Sequence, residues 1–167
     1  MTRCLIVANQ TLGSDALVKT VADKLARGNV TFYVVTPRTQ VEQEAADWTG
    51  GFFAGAPAYL SEETRAFHEQ MDALRDAARW RADDRLNLLL QLIRDVGGVA
   101  DGEVGDADPV AAVKAVLDAH EPFDEILIST LPAAISRWVD MALPEKIAAL
   151  TDAKISTVHA DDNETRV

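Results

Sequence analysis

The clearest signal of the fold lies in residues 102–146, GEVGDADPVAAVKAVLDAHEPFDEILISTLPAAISRWVDMALPEK. Asp108 can cap a helix through its carboxylate, and Pro109 follows at the first helical position, where a missing N–H costs nothing. The apolar residues behind this cap recur at helical spacing, and they are Val110, Val113, Val116 and Leu117. Residues 126–128 are an unbroken aliphatic run, typical of a central parallel strand covered on both faces. The stretch predicts a helix followed by a buried strand.

The buried strand stops at two hydroxyl-bearing residues, Ser129 and Thr130, before a second helical region over residues 133–150. Pro144 lies inside that region, so we expect the helix to break or restart there. Open α/β sheets bind their ligands beyond the carboxyl ends of such strands. We therefore expect a binding crevice at this end of the strand.

The rest of the chain continues the alternation of strands and helices. Strands are expected at residues 3–8, 30–36, 97–104, 125–129 and 154–159, with 97–104 at a sheet edge because glycines weaken it. Helices are expected at residues 16–27 and 61–96. The second pattern is long for one straight helix, so a break or kink is expected near Arg81 to Asp84. Residues 37–61 are irregular, and either a surface excursion or a lid over the crevice would explain them.

Strands that alternate with helices define an α/β protein. We predict a three-layer α/β/α sandwich with a five-stranded parallel sheet in the order 3-2-1-4-5. In that order the winding reverses between the first and fourth strands, so their carboxyl ends separate and leave the crevice. Residues 1–160 are expected to form a single domain, and residues 161–167 a disordered acidic tail.

Composition and net charge indicate which kinds of binding partner the protein should not have. A net charge of −11 argues against nucleic acid and against anionic membrane surfaces. No run approaches the ~20 apolar residues of a membrane span, and the first residues show no signal-peptide pattern. The single cysteine, Cys4, fits a reducing compartment, and three scattered histidines have no metal-ligand spacing. We expect a cytoplasmic protein without a metal site.

The order of elements resembles the universal stress protein family over nearly the whole chain. The matching segments are PFDEILIST at 122–130, ISRWVDMALPEKI at 135–147 and KISTVHA at 154–160. The resemblance implies a regulatory protein that binds a small anionic or nucleotide ligand without catalysis. It makes ATP and AMP the candidate cofactors. It also implies a homodimer that pairs through the last strand.

This chain departs from the family's ATP-binding motif, Gly-x2-Gly-x9-Gly-Ser/Thr after the fourth strand. Ser129 stands at the first glycine, Pro132 at the second, and Ala142-Leu143 at the final pair. Glycines in such a loop let backbone N–H groups approach a phosphate closely. Here side chains would have to replace that cradle, so we expect micromolar or weaker affinity for ATP.

The candidate ligand-binding residues lie on both sides of the predicted crevice. After the first two strands come Asn9, Gln10, Thr11 and Val35, where the family carries Asp-x-Ser and a residue beside the adenine. After the fourth strand come Ser129, Thr130, Ser136 and Arg137, which combine hydroxyls with a guanidinium suited to an anion. The alternative roles are structural: Val35 in the core, Ser136 as a helix cap and Arg137 on the surface.

Three functions remain open from the sequence. The first is the non-catalytic ligand-binding regulator, and the second is a dimeric interaction module with a vestigial nucleotide site. The third, a nucleotide-hydrolysing enzyme, has the least support. The sequence contains no recognisable nucleophile–base pair, no paired acid/base carboxylates and no complete P-loop.

Overall fold

The computed structural model describes residues 1–8, 14–39, 62–130 and 142–160, which form a parallel sheet with helices on both faces. The strands are β1 Thr2–Ala8, β2 Val30–Pro37, β3 Val99–Gly105, β4 Glu125–Thr130 and β5 Lys154–His159. The helices of the described residues are α1 Asp15–Arg27, α2 Glu62–Asp95, α3 Pro109–Ala119 and α4 Leu143–Ala148. The sheet order is β3-β2-β1-β4-β5, and every neighbouring pair is parallel. The predicted fold class and strand order are confirmed, including β3 at an edge.

The centre of the sheet is the pairing of β1 with β4. Cys4 lies opposite Glu125, and Ile6 lies opposite Leu127. Cys4 and the aliphatic run of residues 126–128 are buried, as the sequence predicted. The pairing confirms that β1 and β4 are neighbours and therefore that the winding reverses between them.

Side-chain alternation along the strands divides the core into two layers. One layer joins the sheet to α1 and α2, and its largest fully buried members are Ile6, Leu17, Leu89, Ile93 and Leu127. The other joins the sheet to α3 and α4, and its largest are Leu5, Ile126, Ile128, Leu143 and Ile147. Both faces of the central strands are covered, which explains why β1 and β4 are apolar without alternation.

Two helices begin at side-chain caps that satisfy open backbone donors. The Ser14 hydroxyl accepts a hydrogen bond from the Leu17 N–H at 3.2 Å at the start of α1. The Asp108 carboxylate accepts one from the Val110 N–H at 3.0 Å, and Pro109 follows at the first helical position. The predicted cap of α3 is confirmed.

The expected break in α2 is wrong, because residues 62–95 form one continuous helix of 34 residues. The span contains neither glycine nor proline, the usual causes of a break or sharp kink. From the site of the expected break onward, buried positions recur at spacings of three and four, namely Ala82, Leu86, Leu89, Leu90 and Ile93. Packing of this stripe against the sheet favours a helix that continues.

A helix start beside Pro144 is confirmed, because α4 begins at Leu143 and Ala142 just before it has a positive φ of 50°. The earlier part of the predicted 133–150 helical region lies outside the described residues. The expectations for the 37–61 excursion and the 161–167 tail fall almost wholly on residues outside those that the structure describes. None of the described helices has the length and hydropathy of a bilayer-spanning segment.

Candidate functional site

The predicted crevice begins where β1 and β4 end side by side. Ala8, the last residue of β1, lies opposite Ser129 in β4. Five of the candidate ligand-binding residues lie in the segments that follow these strands, outside the described residues, and stay predictions: Asn9, Gln10, Thr11, Ser136 and Arg137. The described part of the site therefore consists of the strand ends themselves.

Ser129 and Thr130 are both buried at the end of β4, with 1% and 4% of their surfaces exposed. Successive side chains of a strand point to opposite faces, so Ser129 faces α1 and α2 while Thr130 faces α3 and α4. Neither residue lacks a partner, and the Thr130 carbonyl accepts a hydrogen bond from the Ala160 N–H at 2.9 Å. The two hydroxyls thus belong to different layers of the sandwich.

Val35 is fully buried in the layer that joins the sheet to α3 and α4. It lies opposite Val7 of β1 and opposite Glu103 of β3. A Cβ added to Gly105 would come within 3.0 Å of its Cγ2 atom, so the packing around Val35 is tight. Its side chain has a clear role in the core, and its contact with a ligand stays a prediction.

Sequence reasoning missed Thr36, the residue that follows Val35. Its side chain is fully buried, and its Oγ1 atom has no hydrogen-bond partner within the described residues. Thr36 follows an apolar run and precedes Pro37, much as Ser129 and Thr130 follow the apolar run of β4. That shared pattern of an apolar strand ending in a hydroxyl was the signal that could have identified it.

Buried hydroxyl groups are concentrated at this one edge of the sheet. In the described part of the chain, the buried polar side chains are Ser14, Thr36, Ser129 and Thr130. Ser14 belongs with the others because α1 runs antiparallel to the strands and begins at their carboxyl edge. At the other end of α1, Lys24 forms an ion pair with Glu125 at the start of β4. The buried polar groups therefore mark the edge at which open α/β sheets bind ligands.

A cavity of about 210 Å³ lies at the opposite edge, among the amino ends of β1, β2 and β3. Its polar lining includes Arg3, whose guanidinium lies 4.8 Å from the ring centroid of Phe123 and donates to the Pro122 carbonyl at 3.3 Å. These contacts hold the Arg3 side chain against residues 122 and 123, just before β4. The cavity lies at the amino ends of the strands, the edge opposite to the one at which open α/β sheets bind ligands.

Three titratable side chains meet on the α3 side of the sheet. The Tyr33 hydroxyl donates a hydrogen bond to the Glu103 carboxylate at 2.9 Å, and the Tyr33 and His120 ring centroids are 4.3 Å apart. The Nε2 atom of His120 lies 3.9 Å from the same carboxylate. Burial raises the pKa of Tyr33 to about 12, and the bond to Glu103 acts in the same direction. A tyrosine held neutral in this way is a poor proton acceptor or nucleophile near pH 7.

The described residues offer little for covalent or metal chemistry. Cys4 is a buried free thiol, and burial raises its pKa to about 12, which disfavours the nucleophilic thiolate. No group of three histidine, cysteine or carboxylate side chains in the described ranges is placed to hold a metal ion.

No protein-family model matches the sequence, and no curated protein matches it. Among solved structures, the hypothetical protein MJ0577, a test case of structural genomics, is similar at a TM-score of 0.57 and 9% identity. The alignment covers 96% of this chain and 97% of that one. The T5 D15 protein, crystallised with metal ions, reaches a TM-score of only 0.33 at 17% identity over 94% of this chain and 54% of that one. A score that low is no evidence of a shared fold.

The similarity to MJ0577, at a TM-score above 0.5 over nearly the whole of both chains, shows a shared α/β fold. At 9% identity the likeness concerns the fold alone.

Proposed function

We propose that this chain is a universal-stress-like regulatory protein that binds a small anionic or nucleotide-like ligand and has no catalytic activity of its own. The observation that carries the proposal is the concentration of buried hydroxyls at the carboxyl edge of the sheet. Hydroxyls are neutral groups that both donate and accept hydrogen bonds, so they suit a polar ligand without the desolvation penalty of a buried charge. A cytoplasmic location is part of the proposal, in keeping with the unpaired thiol of Cys4.

The proposed ligand lies between the ends of β1 and β4, and ATP and AMP are the leading candidates. Ser129 lies directly beside Ala8, the last residue of β1, between the two strands where the winding reverses. Ser136 and Arg137 complete the proposed site, with Arg137 supplying a charge-assisted, two-pronged contact to the anion. Mobile side chains must become ordered on binding, so the affinity for ATP should be micromolar or weaker.

Two measurements test the proposal. Denaturation of the purified protein should release a small anion or nucleotide, which mass spectrometry then identifies. Titration calorimetry with ATP, ADP and AMP should then show binding that Ser129→Ala and Arg137→Ala both weaken. Ser156→Ala on β5 is the matched control and should bind as the wild type does. Tight ATP binding that Arg137→Ala leaves unchanged would show that the anion lies elsewhere.

The second candidate is a dimeric interaction module, which the open edge of β5 favours. The N–H groups of Lys154 and Ala160 both donate toward β4, at 3.0 and 2.9 Å to the carbonyls of Asp124 and Thr130. Backbone groups alternate along a strand, so the N–H groups of Ile155 and Thr157 point away from β4. The described part of the chain places no further strand on that side. An open edge of this kind can pair with a second copy of the chain.

Light scattering tests the homodimer and its interface. The wild type should have a dimer mass at micromolar concentration. Thr157→Pro should give a monomer, because it removes an outward-pointing donor and leaves the hydrogen bonds to β4 intact. Thr157→Val keeps the donor and should remain dimeric. A dimeric protein that binds no nucleotide would favour this second function, and a wild-type monomer would exclude it.

A further inference from the structure

We propose that Thr36 determines ligand specificity at the carboxyl edge, by donating a hydrogen bond from its hydroxyl to an acceptor atom of a nucleotide-like ligand. The inference rests on the proposed function and adds to it a residue outside the candidate set drawn from the sequence. Its basis is a fully buried hydroxyl that has no hydrogen-bond partner among the residues that the structure describes.

An unused hydroxyl in this position is unfavourable for the protein alone. Burial removes its hydrogen bonds to water, and no group of the described chain replaces them. Buried polar atoms are nearly always paired, so an unpaired one needs a reason of its own. Valine has nearly the same shape as threonine and would fill the same space without that penalty. A bound ligand that accepts from Oγ1 supplies the missing partner.

The other three buried hydroxyl residues at this edge are already engaged. The Ser14 oxygen accepts from the Leu17 N–H to cap α1, and neither Ser129 nor Thr130 lacks a partner. Within the described residues, Thr36 is therefore the member of this group whose side chain is available for a new hydrogen bond. This distinguishes Thr36 from Ser14, Ser129 and Thr130.

The position of Thr36 in the sheet agrees with a role at the crevice. Val35 lies opposite Val7, so Thr36 is beside Ala8, and Ala8 lies opposite Ser129 on its other side. All three side chains point toward the face covered by α1. Neighbouring strands are about 4.8 Å apart, which separates the strands of Thr36 and Ser129 by roughly 10 Å. Ala8 between them contributes only a methyl group, so a ligand group at the edge could contact both hydroxyl residues.

The experiment compares Thr36→Val, Thr36→Ser and Thr31→Val by thermal melting without nucleotide and by calorimetry with ATP and AMP. Thr36→Val should raise the Tm of the nucleotide-free protein, because it removes an unpaired buried hydroxyl. It should also weaken binding about tenfold, the loss expected for one good hydrogen bond. Thr36→Ser keeps the hydroxyl and should bind within about threefold of the wild type. Thr31→Val makes the same change at the other end of β2 and should leave binding unchanged.

The outcomes separate this inference from the proposed function. If the wild type binds nucleotide and Thr36→Val binds it equally well, the Thr36 contact is wrong and the proposed function stands. If Thr36→Val lowers the Tm without nucleotide, its hydroxyl has a structural partner and the inference fails. If the wild type binds neither ATP nor AMP, the Thr36 inference fails, whereas the proposed function fails only if denaturation also releases no small anion.

Discussion

Arg3 and Asp124 are joined by a reciprocal pair of hydrogen bonds. The Arg3 N–H donates to the Asp124 carboxylate at 2.8 Å, and the Asp124 N–H donates to the Arg3 carbonyl at 2.9 Å. The Asp124 carbonyl also accepts from the Lys154 N–H at 3.0 Å. One acidic residue therefore links the beginnings of β1, β4 and β5, and it holds together the two strands between which the winding reverses.

Asp124→Ala should lower the free energy of unfolding by about 1–2 kcal/mol, since it removes a charged acceptor from the Arg3 N–H. Urea denaturation followed by far-ultraviolet circular dichroism measures the change. Asp152→Ala is the control, because Asp152 is an exposed carboxylate in the turn before β5. Equal denaturation midpoints for the two variants would contradict a role for Asp124 in joining the strands.

Leu127→Asp should prevent folding, because Leu127 is only 1% exposed in the core of the sheet. The substitution would bury a carboxylate without a partner, at a cost of several kcal/mol. Leu88→Asp makes the same change at a side chain that is 52% exposed on α2. It should change stability by only about 1 kcal/mol or less. Circular dichroism spectra and thermal melts of both variants make the comparison, and a cooperative melt for Leu127→Asp would refute the prediction.

Gly102→Ala should destabilise the pairing of β2 with the edge strand β3. A Cβ at Gly102 would lie 2.4 Å from the Val34 carbonyl oxygen, a backbone atom that cannot turn aside. We expect a loss of about 1–3 kcal/mol, typical of overpacking. At Gly28 an added Cβ meets nothing within 4 Å, and the backbone is extended. Gly28→Ala should therefore stay within about 0.5 kcal/mol of the wild type in the same urea titration.

The tyrosine beside Glu103 should make stability depend on pH in the alkaline range. Burial and the Glu103 carboxylate raise the pKa of Tyr33 from 10 to about 12, so the fold favours the neutral phenol. This contribution is fully present below pH 10 and is lost as the pH rises toward 12. Glu103→Gln removes the negative charge and should shift the pKa of Tyr33 back toward its ordinary value.

Tyrosinate absorbance in a Tyr59→Phe background isolates this titration, because the chain has two tyrosines. In the wild-type background, Tyr33→Phe should reduce the fall in the free energy of unfolding between pH 10 and pH 12, because phenylalanine cannot ionise. An unchanged pKa for Tyr33 in Glu103→Gln would show that Glu103 does not contribute and would leave burial and the Asp101 charge as the causes.

Local pattern was enough to predict the class of fold. The Asp108-Pro109 start of α3 and the aliphatic run of residues 126–128 signal a capped helix and a doubly covered strand from neighbouring residues alone. The length of the helical pattern in α2 predicted a break, and that prediction was wrong. The helix contains neither glycine nor proline, and the buried positions from Ala82 to Ile93 keep helical spacing past the expected break.

The candidate site was predictable as an edge of the sheet but only partly as a set of residues. Ser129 and Thr130 were identified from their place at the end of an apolar run, and their burial and opposite directions emerged only from the structure. Thr36 follows the same pattern, yet nothing in the sequence marks its hydroxyl as unpaired. Hydrogen-bond satisfaction depends on which groups surround an atom in space, and those groups come from strands far apart in the chain.

The sequence by itself therefore determined the elements, their order and the edge at which polar groups gather, because hydrophobic period, caps and prolines act over a few residues. The tertiary structure alone decided that Thr36, Ala8 and Ser129 form one row, and that Asp124 links three strands. The physical reason is the distance along the chain over which each interaction acts. The register of parallel strands places residues from distant segments side by side, and those neighbours decide which buried hydroxyls find a hydrogen-bond partner.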